Sequence, residues 1–411
     1  MAVTASHAQR AQPRISELDA LRGFALLGIL LVNALMMASP YALGTIDDPG
    51  ASTFDRTVEG LVQTFVAGKF YLLFSFLFGY SFSLQLTSAD RDGDRPVPRL
   101  LRRSLGLFAL GALHAVLLFS GDILMTYAVL GLILIAVRGC APQTALRAAW
   151  IVYGCASGVL LLVGLASLVM SDAEAADLDA DLVAGFPDLI ADYRGDAADV
   201  VRANLAQLPD ALLAIPLMGG LVVAAFLVGL RCAKVHFLGD LADHGARLRR
   251  VCLLGVAFGL PGSVFMALAT SGPLGPRWAI IGQMVGTVTA PALTAAYVCG
   301  MLLLMRTARG ARVTAVLAPA GRMALTNYLS QSLVMALVFT GYGLAWYGRL
   351  GPAVVVLGAI ALYAVQLALS ARLMARHRYG PVEWLLRTVT LARIPGGSPG
   401  ERTRSGSGEA L

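Results

Sequence analysis

The chain alternates between long apolar segments and shorter polar stretches. Each apolar segment approaches the ~20 residues that an α-helix needs to cross ~30 Å of hydrocarbon at about 1.5 Å per residue. Hydropathy places these segments at roughly 20–38, 63–86, 103–120, 122–138, 148–170, 211–230, 250–270, 278–305, 321–341 and 351–371. We therefore predict an all-α fold: a polytopic integral membrane helical bundle with ten transmembrane helices.

The basic residues predict how this bundle is oriented. If the N-terminus is cytoplasmic, 25 of the 32 basic residues fall in inner segments or at the adjoining helix ends, and five fall in outer loops. Membrane proteins keep Lys and Arg on the cytoplasmic side. We predict a multi-pass membrane protein with both termini in the cytoplasm.

Composition excludes several other classes of protein. Hydrophobic residues make up 57% of the chain and charged residues 14%, against about 45–50% and about 25% in ordinary globular domains. The net charge of +7 comes from basic residues that lie between the apolar segments and set the orientation in the membrane. We therefore expect no nucleic-acid partner. The five cysteines form no CxxC pair, and no metal site is predicted.

Three polar segments complete the predicted organisation of the chain. Residues 171–210 carry ten acidic and two basic side chains and are predicted to be an extracytoplasmic loop, either with short interfacial helices or as a solvated linker. Residues 379–390 are predicted to form a cytoplasmic amphipathic helix that closes a membrane domain spanning 1–390. Residues 395–411, rich in Gly, Ser and Arg, are predicted to be disordered.

Two ionisable residues of neighbouring spans are the candidate catalytic pair. His114 is the single histidine placed in a span, and Asp122 begins the next span after a tight hairpin. Antiparallel neighbours can bring these side chains together, and an Asp that orients an imidazole makes a general base. The structural alternative is that Asp122 caps its helix and His114 bonds a backbone carbonyl.

Other polar residues lie inside predicted spans. Arg22 and Asn33 are eleven residues apart, about three turns, so they share a helix face that either lines the bundle interior or leaves Arg22 paired with Asp19. Lys69 either snorkels outward or lines a cavity. Asn327 and Gln331 share a face of span nine, above Arg322, as a cavity wall or as contacts between helices.

Five blocks of sequence together resemble the YeiB-like family of bacterial membrane proteins, also called domain of unknown function 418. They are LDALRGFA at 18–25 with Asn33, GKF at 68–70 with FSFLFG at 74–79, His114 with GDIL at 121–124, GRMALTNY at 321–328 with Gln331, and GP at 380–381 with Glu383 and Arg387. That family is similar to a wider group of transmembrane acyltransferases, including heparan-α-glucosaminide acetyltransferases and bacterial sugar O-acyltransferases. This chain departs from the sugar O-acyltransferases in having Asn33 at the position of a histidine.

The resemblance implies an acyltransferase that uses cytoplasmic acyl-coenzyme A as donor. The donor's acyl group, of which acetyl is the first candidate, would pass to a hydroxyl or amine. The acceptor would be a small molecule, a glycan or a lipid-linked molecule at the membrane or outer face. His114 would be the base, oriented by Asp122. The donor's phosphates would lie near Arg22, Arg102, Arg103 and Arg322. Asn33, Gln331 or Lys69 would donate a hydrogen bond to the developing oxyanion, and Asn327 is a further donor-binding candidate.

A second reading of the same polar stripes is a transporter or exporter of a small molecule or lipid-linked substrate, with the stripes lining its path. The lipid bilayer is a partner in both readings. The oligomeric state, a homodimer included, is left open.

Overall fold

A computed structural model of the protein describes residues 16–43, 46, 48–91, 95–238, 244–272, 274 and 277–392. The predicted disordered tail, 395–411, lies outside these residues. The secondary-structure elements in the described part are α-helices: α1 Ser16–Ala38, α2 Thr53–Phe65, α3 Phe70–Arg91, α4 Pro96–Leu117, α5 Leu124–Ala136, α6 Pro142–Ser167, α7 Asp172–Ala184, α8 Phe186–Arg194, α9 Ala197–Lys234, α10 Gly245–Thr270, α11 Arg277–Met305, α12 Ala308–Arg322, α13 Ala324–Phe339, α14 Pro352–Arg376 and α15 Pro381–Leu391.

The predicted class, a polytopic helical membrane bundle, is confirmed. Among the described residues, seven helices are long and apolar enough to cross a bilayer, and the two halves of α9 make an eighth if they form one span. α2 and α3 count together as one of the seven. α5 and α13 are apolar but shorter. The total of ten spans and the cytoplasmic termini therefore stay predictions.

Large apolar side chains cover the outside of the bundle. Trp150 and Leu162 on α6, Leu253 and Phe258 on α10, and Leu357 on α14 are each 65% or more exposed. Exposing this much apolar surface to water is unfavourable, whereas contact with lipid tails is favourable. The backbone polar groups of these segments are satisfied within their own helices, as the hydrocarbon region requires.

The structure differs from the sequence prediction around span nine. Residues 306–320 lie between the predicted spans eight and nine, yet they form most of α12, whose N-terminus is capped by Thr307 through its Oγ1, 3.0 Å from the Gly310 amide. α12 ends at Arg322, Met323 is its C-cap, and α13 starts at Ala324. Predicted span nine therefore corresponds mainly to α13, which a break at Met323 separates from α12. Hydropathy missed α12 because its sequence is polar, and packing against α1 stabilises it instead.

The acidic segment is helical along most of its length. It forms α7 and α8, and the helix that holds the sixth predicted span already begins at Ala197, not at 211. Several acidic residues have a local structural role, because Ser171 with Glu174 and Asp196 with Asp199 form capping boxes at the starts of α7 and α9. The amphipathic segment predicted at 379–390 corresponds to α15, with Pro381 in its first turn.

Glycines bring α1 and α12 into backbone contact. A Cβ atom at Gly321 would overlap the carbonyl oxygen of Asp19, and a Cβ atom at Gly23 would overlap the carbonyl oxygen of Leu317. Small residues at such crossings let two helices approach more closely than side chains would allow. Arg22 and Arg322, the chain neighbours of these glycines, are thereby held close to the same helix crossing.

Gly321→Ala should destabilise the bundle by about 1–3 kcal/mol, the usual cost of overpacking a filled contact. Thermal and denaturant unfolding of the purified protein in detergent, followed by circular dichroism, measure this. Gly358→Ala on α14 is the matched control, because a Cβ atom there meets nothing within 4 Å and replacing a mid-helix glycine by alanine is favourable by roughly 0.5–1 kcal/mol. Equal stability of Gly321→Ala and wild type would contradict the close packing of α1 on α12.

Candidate functional site

Arginines from four helices converge on one cavity of about 370 Å³. We call it the arginine chamber. Its wall includes Arg22 of α1, Arg99 and Arg103 of α4, Arg322 at the end of α12, and Arg387 of α15. Arg22, Arg103 and Arg322 are among the donor-binding residues predicted from the sequence, and the structure brings these three together. Arg99 and Arg387 join them without having been proposed as donor-binding residues.

Five arginines and one glutamate line the described part of the chamber wall. Glu383 is the acidic residue lining the described part of the wall, and its carboxylate is engaged at the start of α13. Its oxygens accept hydrogen bonds from the amides of Leu325 at 2.7 Å and Thr326 at 3.0 Å, and from Thr326 Oγ1 at 2.5 Å. Asp19 pairs with Arg22 at 2.7 Å. The chamber therefore presents a positive potential that suits an anionic ligand.

The arginines are also positioned by neutral groups. Arg22 Nη2 donates to Ser81 Oγ at 2.5 Å, and the Arg103 guanidinium lies 5.1 Å from the centroid of the Phe78 ring. Contacts of these kinds orient a guanidinium without neutralising it. Planar guanidinium groups bind phosphate and carboxylate oxygens through paired hydrogen bonds. Phosphate and carboxylate are therefore the ligand groups that the chamber fits.

A second cavity of about 210 Å³ lies next to the first. We call it the small chamber. Asn33 lines it, as do Tyr71 and the turn at 121–123; the Tyr71 hydroxyl is buried and has no hydrogen-bond partner among the described residues. Ile29, Ile123 and Tyr328 line both chambers. These three residues, which we call the partition, separate the chambers.

The candidate catalytic pair is in contact and sealed from solvent. His114 Nδ1 lies 2.9 Å from Asp122 Oδ1, and each side chain is 1% exposed. The other carboxylate oxygen accepts from the Met125 amide at 2.7 Å, so Asp122 also caps the start of α5. The distance is that of an ion pair, yet neither ring nitrogen makes an aligned hydrogen bond to a described residue. Both ring nitrogens are buried, so a ligand reaches Nε2 only if neighbouring side chains move.

Tyr328 connects this pair to the two chambers. His114 is not part of either chamber wall, and the Asp122 side chain is buried although its residue borders the small chamber. The Tyr328 hydroxyl lies 3.5 Å from Asp122 Oδ1, and its ring centroid is 5.0 Å from that of His114. Tyr328 belongs to the GRMALTNY block at 321–328 but is not among the site residues predicted from the sequence. Its signal was its position directly after Asn327, on the polar start of α13.

Two of the proposed donor-binding residues lie elsewhere. Arg102 is exposed and donates from Nε to the carbonyl of Thr390 at 3.1 Å, outside the wall of the arginine chamber. Lys69 is fully buried in the turn between α2 and α3, where Nζ donates to the Gln63 carbonyl at 3.0 Å. Its flanking residues line the small chamber, but Lys69 itself does not.

The polar stripe of span nine joins two helices. Asn327 Nδ2 donates to Ser370 Oγ at 3.0 Å, and Gln331 Nε2 donates to Gln366 Oε1 at 2.8 Å. Both partners are on α14, and neither Asn327 nor Gln331 lines a described chamber. Of the two readings of this stripe, the described contacts correspond to hydrogen bonding between helices, which fixes α13 and Tyr328 against α14.

Comparison with known proteins places the chain in a family. A family model described as "Protein of unknown function (DUF418)" matches residues 232–393. "Uncharacterized protein YxaH" of Bacillus subtilis (strain 168) is 31% identical over 390 residues, covering 92% of this chain and 94% of the relative. "Uncharacterized protein YeiB" of Escherichia coli (strain K12) is 29% identical over 383 residues, covering 91% and 95%. The chain therefore belongs to the YeiB-like, DUF418 family of membrane proteins.

Proposed function

We propose that this protein is an integral-membrane acyltransferase. It moves an acyl group, of which acetyl is the first candidate, from acyl-coenzyme A to a hydroxyl or amine. The observation that carries the proposal is the sealed His114–Asp122 pair beside the partition, next to the arginine chamber. Ionisable pairs buried within a membrane bundle are costly and mark functional sites. The pair supplies a base, and the chamber supplies a site for the phosphates of the donor.

The donor binds with its phosphates against the arginines. Coenzyme A carries several negatively charged phosphates, and five positively charged guanidinium groups surround one cavity. The thioester end points toward the partition, away from the arginines. Positive residues mark the cytoplasmic side of membrane proteins, so the chamber opens to the compartment that contains acyl-coenzyme A. The bilayer in question is the bacterial inner membrane.

The transfer is a nucleophilic substitution at the thioester carbonyl. His114 Nε2 takes the proton of the acceptor hydroxyl or amine while its oxygen or nitrogen forms the new bond to the carbonyl carbon. Asp122 stabilises the resulting imidazolium. Asn33, which lines the small chamber, donates a hydrogen bond to the developing oxyanion. The carbon–sulfur bond then breaks, and the imidazolium proton goes to the leaving thiolate.

A transporter of a small anion is the second candidate function. It is favoured by the two adjoining chambers with one shared partition, an arrangement that also suits a gated path. The buried Lys69, whose amine donates to a backbone carbonyl, adds a polar group near that path. The two functions differ in whether coenzyme A binds and is consumed, which the following measurements decide.

Arg103→Gln and Arg322→Gln should each weaken coenzyme A binding about 10- to 100-fold, because a hydrogen bond to a charged group contributes about 1.5–3 kcal/mol. Added salt should weaken binding to the wild type further by screening. Isothermal titration of the protein in detergent measures both effects. Arg102→Gln is the control on the same helix and should bind as wild type does. Absence of coenzyme A binding to the wild type would favour transport instead.

His114→Ala should lower the transfer rate ~10²–10⁴-fold, the usual contribution of a positioned base. Coenzyme A affinity should stay near wild type, because His114 is not part of the arginine chamber wall. Asp122→Asn should slow transfer less, since it orients the imidazole without taking the proton. Single-turnover release of free thiol from acetyl-coenzyme A gives the rate, and titration gives the affinity.

The exposed His377 provides the control for this experiment, and His377→Ala should leave the rate unchanged. Unfolding curves show whether each variant is intact. A well-folded His114→Ala protein with the wild-type transfer rate would rule out the base.

A further inference from the structure

Tyr328 is the one aromatic side chain in the described partition. Its residue is 4% exposed, and it borders the arginine chamber on one side and the small chamber on the other. Ile29 and Ile123 complete the partition, Ile29 from the packed core of α1 and Ile123 from the turn beside Asp122. A ligand that passes from one chamber to the other must therefore displace the phenol ring or one of these two shorter side chains.

Tyr328 packs within the core of the bundle, so a gate requires its ring to turn out of this packed position. Its hydroxyl lies 3.5 Å from Asp122 Oδ1, near the outer limit for a hydrogen bond, and it also hydrogen-bonds the backbone of Ile123. A tyrosine side chain rotates about two torsion angles, so the ring can move without a shift of the backbone. The movement would also uncover the His114–Asp122 pair, which the ring faces at 5.0 Å from the imidazole.

The backbone of Tyr328 is positioned from another helix. α13 begins directly after the break at Met323, so its first amides have no partners in a preceding turn. Glu383 of α15 takes their place as a cap, accepting from Leu325 and Thr326. Arg387, one turn further along α15, lines the arginine chamber. Glu383 thus links the wall of that chamber to the helix that carries Tyr328.

We infer that Tyr328 is a gate between the arginine chamber and the small chamber, and that the Glu383 cap on α13 holds this gate closed. The gate shields the His114–Asp122 pair until the ring turns aside. This role holds for acyl transfer and for transport alike, because each needs a controlled passage between the chambers. The inference therefore does not depend on the proposed chemistry.

Thiol labelling across the partition tests the gate. The variant Asn33→Cys places a thiol in the small chamber, and Gln85→Cys places one in the arginine chamber, whose wall Gln85 forms. Both are made in a background whose five native cysteines are replaced by alanine. A membrane-impermeant, anionic methanethiosulfonate reagent, whose charge suits the arginine chamber, is applied to membrane vesicles. The vesicle orientation in which the Gln85→Cys thiol reacts identifies the face of the arginine chamber.

From that face, the Asn33→Cys thiol should react slowly when Tyr328 is present. Combining it with Tyr328→Ala should accelerate labelling at least about 10-fold, whereas Tyr328→Phe should leave it slow because the ring remains. Glu383→Gln should accelerate it to an intermediate rate, since a neutral amide caps the start of α13 less well. Leu333→Ala, on an exposed face of the same helix, is the control and should behave as wild type does.

Unchanged labelling of the Gln85→Cys thiol, together with unfolding curves, shows that each variant is folded. Equal labelling rates of the Asn33→Cys thiol with Tyr328 and with Tyr328→Ala would overturn the gate. A Tyr328→Phe rate as high as that of Tyr328→Ala would show that the ring is not the barrier. A wild-type rate in Glu383→Gln would show that α15 does not hold the gate. Coenzyme A titration is unaffected by these outcomes, so failure of the gate and failure of the proposed donor site are distinguishable.

Discussion

The backbone contact between α1 and α12 is the constraint on which the candidate site depends. Gly23 and Gly321 let the two helices touch without intervening side chains, and their neighbours Arg22 and Arg322 both reach the arginine chamber as a result. Arginines on lipid-facing helix surfaces would extend to the membrane interface. Here helix packing directs two of them inward, where α4 and α15 add three more. The positive chamber thus depends on the positions of Gly23 in α1 and Gly321 in α12, which let these two helices meet.

Charge and burial then divide the site into two parts. The arginine chamber places five guanidinium groups around one cavity, so a bound anion gains charge-assisted hydrogen bonds there. The His114–Asp122 pair is sealed beside the partition, where low polarity strengthens its mutual attraction. Tyr328 lies between these two environments. A ligand with an anionic end and a reactive end suits such a division, with each end in the environment that its chemistry requires.

The sequence predicts the parts of this structure that local patterns determine. Long apolar runs reveal spans, and the short hairpin after His114 brings Asp122 within reach because antiparallel neighbours leave few alternatives. α12 could not be predicted this way, since its stability comes from contact with α1 and not from hydropathy. The roles of Arg387 and Glu383 were missed for a related reason: they act across more than 50 residues of chain, on Thr326 and the chamber, and no spacing rule reports such contacts.

Polar residues of one span were the least predictable part. Asn327 and Gln331 are four residues apart and therefore share a helix face. Only the position of α14 decides whether that face lines a cavity or hydrogen-bonds to Ser370 and Gln366. Arg102 and Arg103 show the same limit. They are adjacent in sequence, yet about 100° of helical rotation places Arg103 in the chamber wall and leaves Arg102 outside it, bonded to the backbone carbonyl of Thr390, a wall residue.

Transfer of label from donor to acceptor tests the central claim most directly. The purified protein is reconstituted in liposomes with a crude envelope extract as acceptor, and acetyl-coenzyme A carrying radiolabel in its acetyl group is supplied on the face of the arginine chamber. The account predicts that label appears in an acceptor molecule, with one free coenzyme A thiol released per acetyl group transferred, and that His114→Ala abolishes both signals. Label that stays on coenzyme A with the wild-type protein and extract present would contradict it.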